Sequence, residues 1–182
     1  MAAIMGSMLS VNLTQCTTPN KNQQTISNKN LICNKMDKVL KAKSTIIINA
    51  PASKVWEILT NAEKIQKLML GMQPVSNWKV GSELRWTGRH EEKPNDNARG
   101  IIEVMDANKK LQFTFYYPGY GYPDQSEYYN TVVFNLTDSS KQTTVDVEQG
   151  DFSVFKEGET YRGHSQAFWE SALKILKELA EE

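Results

Sequence analysis

The last 20 or so residues of this chain carry its one long apolar stripe. Phe168, Trp169, Ala172, Leu173, Leu176, Leu179 and Ala180 recur at the spacing of a single helix face. Glu170, Lys174, Lys177, Glu178 and Glu181 take the opposite face. Any sheet built upstream must cover its own apolar side, and this terminal helix is the only element long enough to do it. That requirement constrains the fold more than any other feature of the sequence.

Upstream the hydrophobic period is mostly two. In residues 82–90, Leu84, Trp86 and Gly88 alternate with Arg85, Thr87 and Arg89. Residues 94–97 read as a turn, 99–105 as a strand and 106–110 as the next turn. Leu111, Phe113, Phe115 and Tyr117 then face one way, opposite Gln112, Thr114 and Tyr116. Residues 116–123, rich in Gly, Pro and Tyr, read as a loop, and 128–136 and 142–149 as two more strands joined by a short turn. Connections this short favour an antiparallel meander.

Ahead of the meander, the β-branched run 43–49 reads as a strand. Pro51 suits the start of a helix, where its missing N–H is no loss. Val55, Trp56, Ile58, Leu59, Ala62 and Ile65 follow at helical spacing, and a second helical piece runs through 64–70 until Gly71 stops it. The order is one strand, short helices, about five strands and a long helix, which is an α+β fold. A strongly curved sheet around one helix leaves a cavity at its open mouth, and a ligand would sit there.

The first 35 residues differ from the rest. Sixteen of them are Ser, Thr, Asn or Gln, and their three charges are all Lys: Lys21, Lys29 and Lys35. Such a stretch cannot bury enough apolar surface to offset its ordering entropy, so residues 1–35 are expected to form a disordered tail ahead of a domain at 36–182. Other readings of the tail are a weak secretory signal, a lipoprotein cysteine at Cys16, a transit peptide, or sequence upstream of a natural start at Met36. Cys16 and Cys33 both lie in it, and the cysteine-free body fits a reducing, cytoplasmic compartment.

With 21 basic and 21 acidic side chains the net charge is zero, which argues against nucleic acid as a partner. No apolar run approaches the roughly 18–20 residues of a membrane span. No phosphate-binding Gly-rich loop, nucleophile elbow, HExxH or CxxC occurs, and no cofactor is implied.

The run Ile46-Ile47-Ile48-Asn49-Ala50-Pro51-Ala52-Ser53-Lys54-Val55-Trp56 resembles the strand, Ala-Pro and Val-Trp opening of the START-like, or Bet v 1-like, helix-grip superfamily. Its branch related to the activator of the Hsp90 ATPase is the most similar. Val80-Gly81-Ser82-Glu83-Leu84 resembles that branch's strand start, with Ser82 in place of a second Gly. Gly100 to Val104 followed by Leu111 to Phe115 resembles its hairpin, and Gly163 to Trp169 leading into Leu173 to Lys177 resembles its terminal helix. The resemblance spans about residues 43–180. It implies a helix-grip fold, in which a curved antiparallel sheet wraps the long C-terminal helix and short helices follow the first strand. The superfamily it points to holds lipid carriers, receptors, cyclases and chaperone regulators, so function must be argued from the site.

Inward strand positions are expected at Trp86, Ile102, Val104, Phe113, Phe115, Val132, Phe134, Val145 and Val147. The candidate ligand-binding set is Trp86, Phe113, Phe115, Tyr117, Tyr129, Tyr161, His164, Phe168 and Trp169. These side chains combine large apolar area with a few polar tips. The rival reading is that the same aromatics fill the space. His164 as a catalyst would need an orienting carboxylate, for which Glu157 and Glu159 are the sequence neighbours. Arg85, Arg89 and Arg99 form a cationic patch if their strands adjoin, with Glu83, Glu91 and Glu103 as default partners. The reading is a non-catalytic protein, a monomer or weak dimer, that binds a small hydrophobic or amphipathic ligand. A chaperone-interacting regulator and a cyclase- or hydratase-like enzyme are the alternatives.

Overall fold

The computed structural model describes residues 39–88, 98–139 and 141–182. The expected tail at 1–35, together with Arg89, His90, Glu91 and Glu92, lies outside the described residues.

Strand β1 (Ala42–Ile48) turns Ala42, Ser44, Ile46 and Ile48 inward. Pro51 then starts helix α1 (Ala52–Thr60), and its carbonyl accepts the Lys54 and Val55 N–H groups. The helical spacing through Ile65 is not one helix. It breaks at Asn61, whose side chain accepts from the Glu63 and Lys64 N–H groups and so caps helix α2 (Ala62–Leu68). Leu70 and Gly71 end that helix in the left-handed region, at φ of 55° and 87°.

Strand β2 (Gln73–Ser76) was not expected from the sequence. It is four residues long and contains Pro74, a residue tolerated only at a sheet edge. Strands β3 (Glu83–Thr87), β4 (Arg99–Asp106), β5 (Lys110–Phe115), β6 (Asn130–Ser139) and β7 (Gln142–Gly150) follow. All seven form one curved, open antiparallel sheet in the order β1-β7-β6-β5-β4-β3-β2. Helix α3 (Gly158–Glu181) is about 36 Å long at 1.5 Å per residue and lies across it. The architecture is the α+β helix grip.

Two details set the curvature and the packing. Ile102 pairs with Phe113 but Met105 pairs with Leu111, so β4 spends three residues where β5 spends two. This bulge turns Met105 onto the core and moves Val104 off it, against the simple alternation. At Gly100 an added Cβ would stand 1.7 Å from the Thr114 carbonyl oxygen, so only glycine allows β4 and β5 to meet there.

The two sheet edges are treated differently. The open edge of β1 is closed by α3. Lys43 N–H donates to Gln166 Oε1 at 2.8 Å, Gln166 Nε2 donates to the Lys43 carbonyl at 2.7 Å, and Lys177 Nζ donates to the Ile47 carbonyl at 2.8 Å. Asn49 N–H finishes the seam on Glu181 Oε1 at 2.6 Å. These bonds occupy the Lys43 N–H and carbonyl and the Ile47 carbonyl, groups that would otherwise be open to pairing with another chain.

Candidate functional site

The inward stripe of α3 runs Tyr161, Ser165, Phe168 and Trp169, then Ala172, Leu173, Leu176 and Ala180. Ser165 is the one small polar residue in its N-terminal half. At that level the sheet and the helix do not meet, and a cavity of about 300 Å³ remains. Phe113 and Phe115 of β5 and Val132 of β6 form its floor, and Gln149 of β7 one flank. His164, Ser165, Phe168 and Trp169 form its roof. Met69, Leu70, Met72, Ala98, Tyr117 and Tyr120 complete the lining, and of these Leu70 and Tyr117 are exposed.

Six of the nine expected site residues line this space: Phe113, Phe115, Tyr117, His164, Phe168 and Trp169. The other three do not. Trp86 is buried behind the wall, its ring 6.2 Å from that of Phe113, and its Nε1 has no hydrogen-bond partner. Tyr129 stacks on Tyr116 with centroids 5.1 Å apart, and its hydroxyl donates to Asp124 Oδ1 at 2.6 Å. Tyr161 stands one layer back, stacked on Tyr120 at 4.1 Å.

Sequence reasoning missed Gln149, Ser165, Tyr120, Val132 and the residues around Met69. Gln149 was within reach, because extending the inward positions Val145 and Val147 by two lands on it. Val132 was assigned to the core but not to the site. Met69, Leu70 and Met72 carried no such signal, since their place depends on the turn after α2.

The polar groups of the lining are few. Trp169 Nε1 donates to Gln149 Oε1 at 2.9 Å, a bond buried between helix and sheet. Burial pushes the Tyr120 phenol up, and the neighbouring Ser165 hydroxyl offsets part of that. Tyr120 also meets Tyr117 edge-on at 5.2 Å and Phe155 at 5.5 Å. His164 is exposed at the rim. Of the two expected carboxylates, Glu157 accepts from the Tyr122 hydroxyl and Glu159 pairs with Arg162.

The loop that carries Tyr120 is tied down outside the cavity. Arg99 donates from Nε to Asp124 Oδ2 at 3.1 Å and lies over the Tyr116 ring at 4.9 Å. The Tyr129 hydroxyl, and after it Arg99, holds the Asp124 carboxyl below its usual value. Arg85 and Arg99 are direct cross-strand partners, so those strands do adjoin. Arg99 takes Asp124 rather than Glu83 or Glu103, and Glu103 accepts from Gln112 instead. Arg89 and Glu91 lie outside the described residues.

Among the described residues no group of three or more His, Cys, Asp or Glu could hold a metal ion. No helix among them is long and apolar enough to cross a membrane. The lining is mostly apolar and aromatic, with the polar tips of Tyr117, Tyr120, Gln149, His164 and Ser165 among it.

Comparison with known proteins agrees with this architecture. The family model described as activator of Hsp90 ATPase homolog 1-like protein matches residues 49–181. The solution structure of ChR145 from Cytophaga hutchinsonii is 36% identical, covers 76% of this chain and 91% of its own, and superposes with a TM-score of 0.63. The crystal structure of CalU16 from Micromonospora echinospora shares the fold at 18% identity and a TM-score of 0.60, over 77% of this chain and 75% of its own. The Aha1 dimer from Colwellia psychrerythraea does so at 17% identity and a TM-score of 0.61, over 78% and 96%. No curated protein matches the chain. With residues 49–181 matched by the family model and a relative of this identity, the chain belongs to the activator of Hsp90 ATPase homolog 1-like family, within the START-like superfamily.

Proposed function

We propose that this protein binds a small hydrophobic or amphipathic molecule, without catalysis, in the cavity between the sheet and α3. The observation that carries the reading is the unfilled space of about 300 Å³ under aromatic and methionine side chains. A packed core leaves few voids larger than a water, so a space of this size at one end of the grip suits a binding site. The cysteine-free domain suits a cytoplasmic location. Native mass spectrometry of the purified protein, with thermal shifts against a lipid and metabolite panel, tests the proposal. A bound small molecule or a saturable stabilisation is expected. Neither appearing would overturn it.

A second reading, regulation of an Hsp90-type chaperone, draws on the family description alone. Stimulation of a reconstituted chaperone ATPase would favour it, and its absence would end it. A cyclase- or hydratase-like activity would need a carboxylate to orient His164, and its sequence neighbours Glu157 and Glu159 bond Tyr122 and Arg162. Loss of a turnover on His164→Ala would be needed to revive it.

A further inference from the structure

Gln149 is 4% exposed and lines the cavity. Its orientation is fixed by chemistry. An indole N–H can only donate, so the atom that Trp169 Nε1 meets at 2.9 Å must be the amide oxygen. The NH₂ group therefore points away from Trp169. An amide NH₂ at the cavity surface donates to water until an acceptor on a ligand replaces it. Its sheet neighbours in the lining, the cross-strand partner Val132 and then Phe113 and Phe115, have no side-chain acceptor.

Charge narrows the ligand further. None of the described lining residues is Lys, Arg, Asp or Glu. A carboxylate or phosphate buried beside Gln149 would lose its hydration with no Lys or Arg of the described lining to replace it, and His164 stands exposed at the rim. A neutral carbonyl would keep its hydrogen bonds at little cost.

We infer that Gln149, locked by Trp169, is the polar reader of the cavity, and that its ligand is an uncharged molecule with an apolar body and a carbonyl-type acceptor. This rests on the binding function proposed above and names the ligand class for it. Gln149 thus sets specificity, while the aromatic floor supplies sequence-tolerant apolar affinity.

Three naphthalene probes of matched size separate the possibilities: 2-acetylnaphthalene, 2-ethylnaphthalene and 2-naphthoate. Their affinities are read by ¹H–¹⁵N NMR titration of the whole protein, following the Gln149 amide and Trp169 indole signals. The ketone is expected to bind about tenfold tighter than the hydrocarbon, the worth of about one hydrogen bond. It is also expected to bind tighter than the carboxylate and to move the Gln149 NH₂ signals. In Gln149→Met, which removes the donor, the ratio of ketone to hydrocarbon affinity should shrink to under about twofold. Equal binding of ketone and hydrocarbon to the unaltered protein, with the Gln149 signals still, would overturn the assignment and leave the cavity reading intact. Tightest binding by the naphthoate would overturn the uncharged ligand. Binding by none of the three would remove the cavity reading and this inference together.

Discussion

The C-terminal half of α3 sets Ala172, Leu173, Leu176 and Ala180 against the domain, each at most 2% exposed. The N-terminal half sets Ser165, Phe168 and Trp169 around an empty space of about 300 Å³. One helix and one sheet thus make a solid contact at one end and a hollow one at the other. Two things differ. The solid end is backed by α1, whose Val55, Ile58 and Leu59 join the same core, and its stripe is Ala and Leu at every inward turn. The hollow end has a serine where the stripe should carry bulk, and it is walled by turns rather than by a helix. In this fold, a vacancy comes from one small residue in a helical stripe combined with a missing third layer.

The largest effect should come from the solid end. Leu176→Ala deletes a fully buried side chain and is expected to cost about 2–5 kcal/mol in chemical denaturation. Ligand affinity per folded molecule should not change. A cost under about 1 kcal/mol would mean that the two ends are not packed differently.

Ser165→Leu should do the reverse. It adds bulk to a space already present, so stability should move by less than about 1.5 kcal/mol while binding is lost. Strong destabilisation would show that the cavity has no room for the added side chain.

Acid should act on both ends through their seams. Lys177, then the Asn49 N–H, holds the Glu181 carboxyl below its ordinary value. Burial pushes Asp151 up, but the Ser153 N–H and hydroxyl and the Leu40 N–H outweigh it, and the net shift is downward. A carboxyl depressed in the folded state stabilises above its unfolded pKa and loses that contribution as pH falls through its folded one. Stability should therefore be flat near neutrality and fall only below the ordinary carboxylate range. Asp151→Asn should flatten that acid limb, which a urea titration at several pH values would show.

The smallest effect is expected at the exposed ties of the mouth. Asp124→Asn removes the partner of Arg99 and a favoured acceptor of the Tyr129 hydroxyl. Exposed ion pairs contribute little and are screened by salt, so stability should barely change and the difference should vanish at high salt. A large, salt-independent loss would make the mouth a structural element comparable to the solid end.

The fold was legible because it rests on periodicity. The terminal stripe, the alternating runs and the Ala-Pro opening each state a local geometry that the tertiary structure keeps. β2 was not legible, since four residues around Pro74 give no repeat to count. Nor was the bulge in β4, because one extra residue shows only against a partner strand. The site was half legible. Aromatics on known inward faces, such as Phe113, Phe115 and Trp169, could be placed from parity. Tyr129 and Tyr161 could not be told from Tyr120, because which tyrosine reaches the cavity is decided by ring stacking across distant segments. Trp86 was correctly turned inward but lies a layer too deep.

The central claim is an open apolar cavity under the N-terminal half of α3. Its most direct test is a fluorescence titration of the neutral probe N-phenyl-1-naphthylamine into the unaltered protein and into Ser165→Leu. The account expects saturable one-to-one binding to the first and none to the second, with both equally folded. Equal binding to both proteins, or none to either, would contradict it.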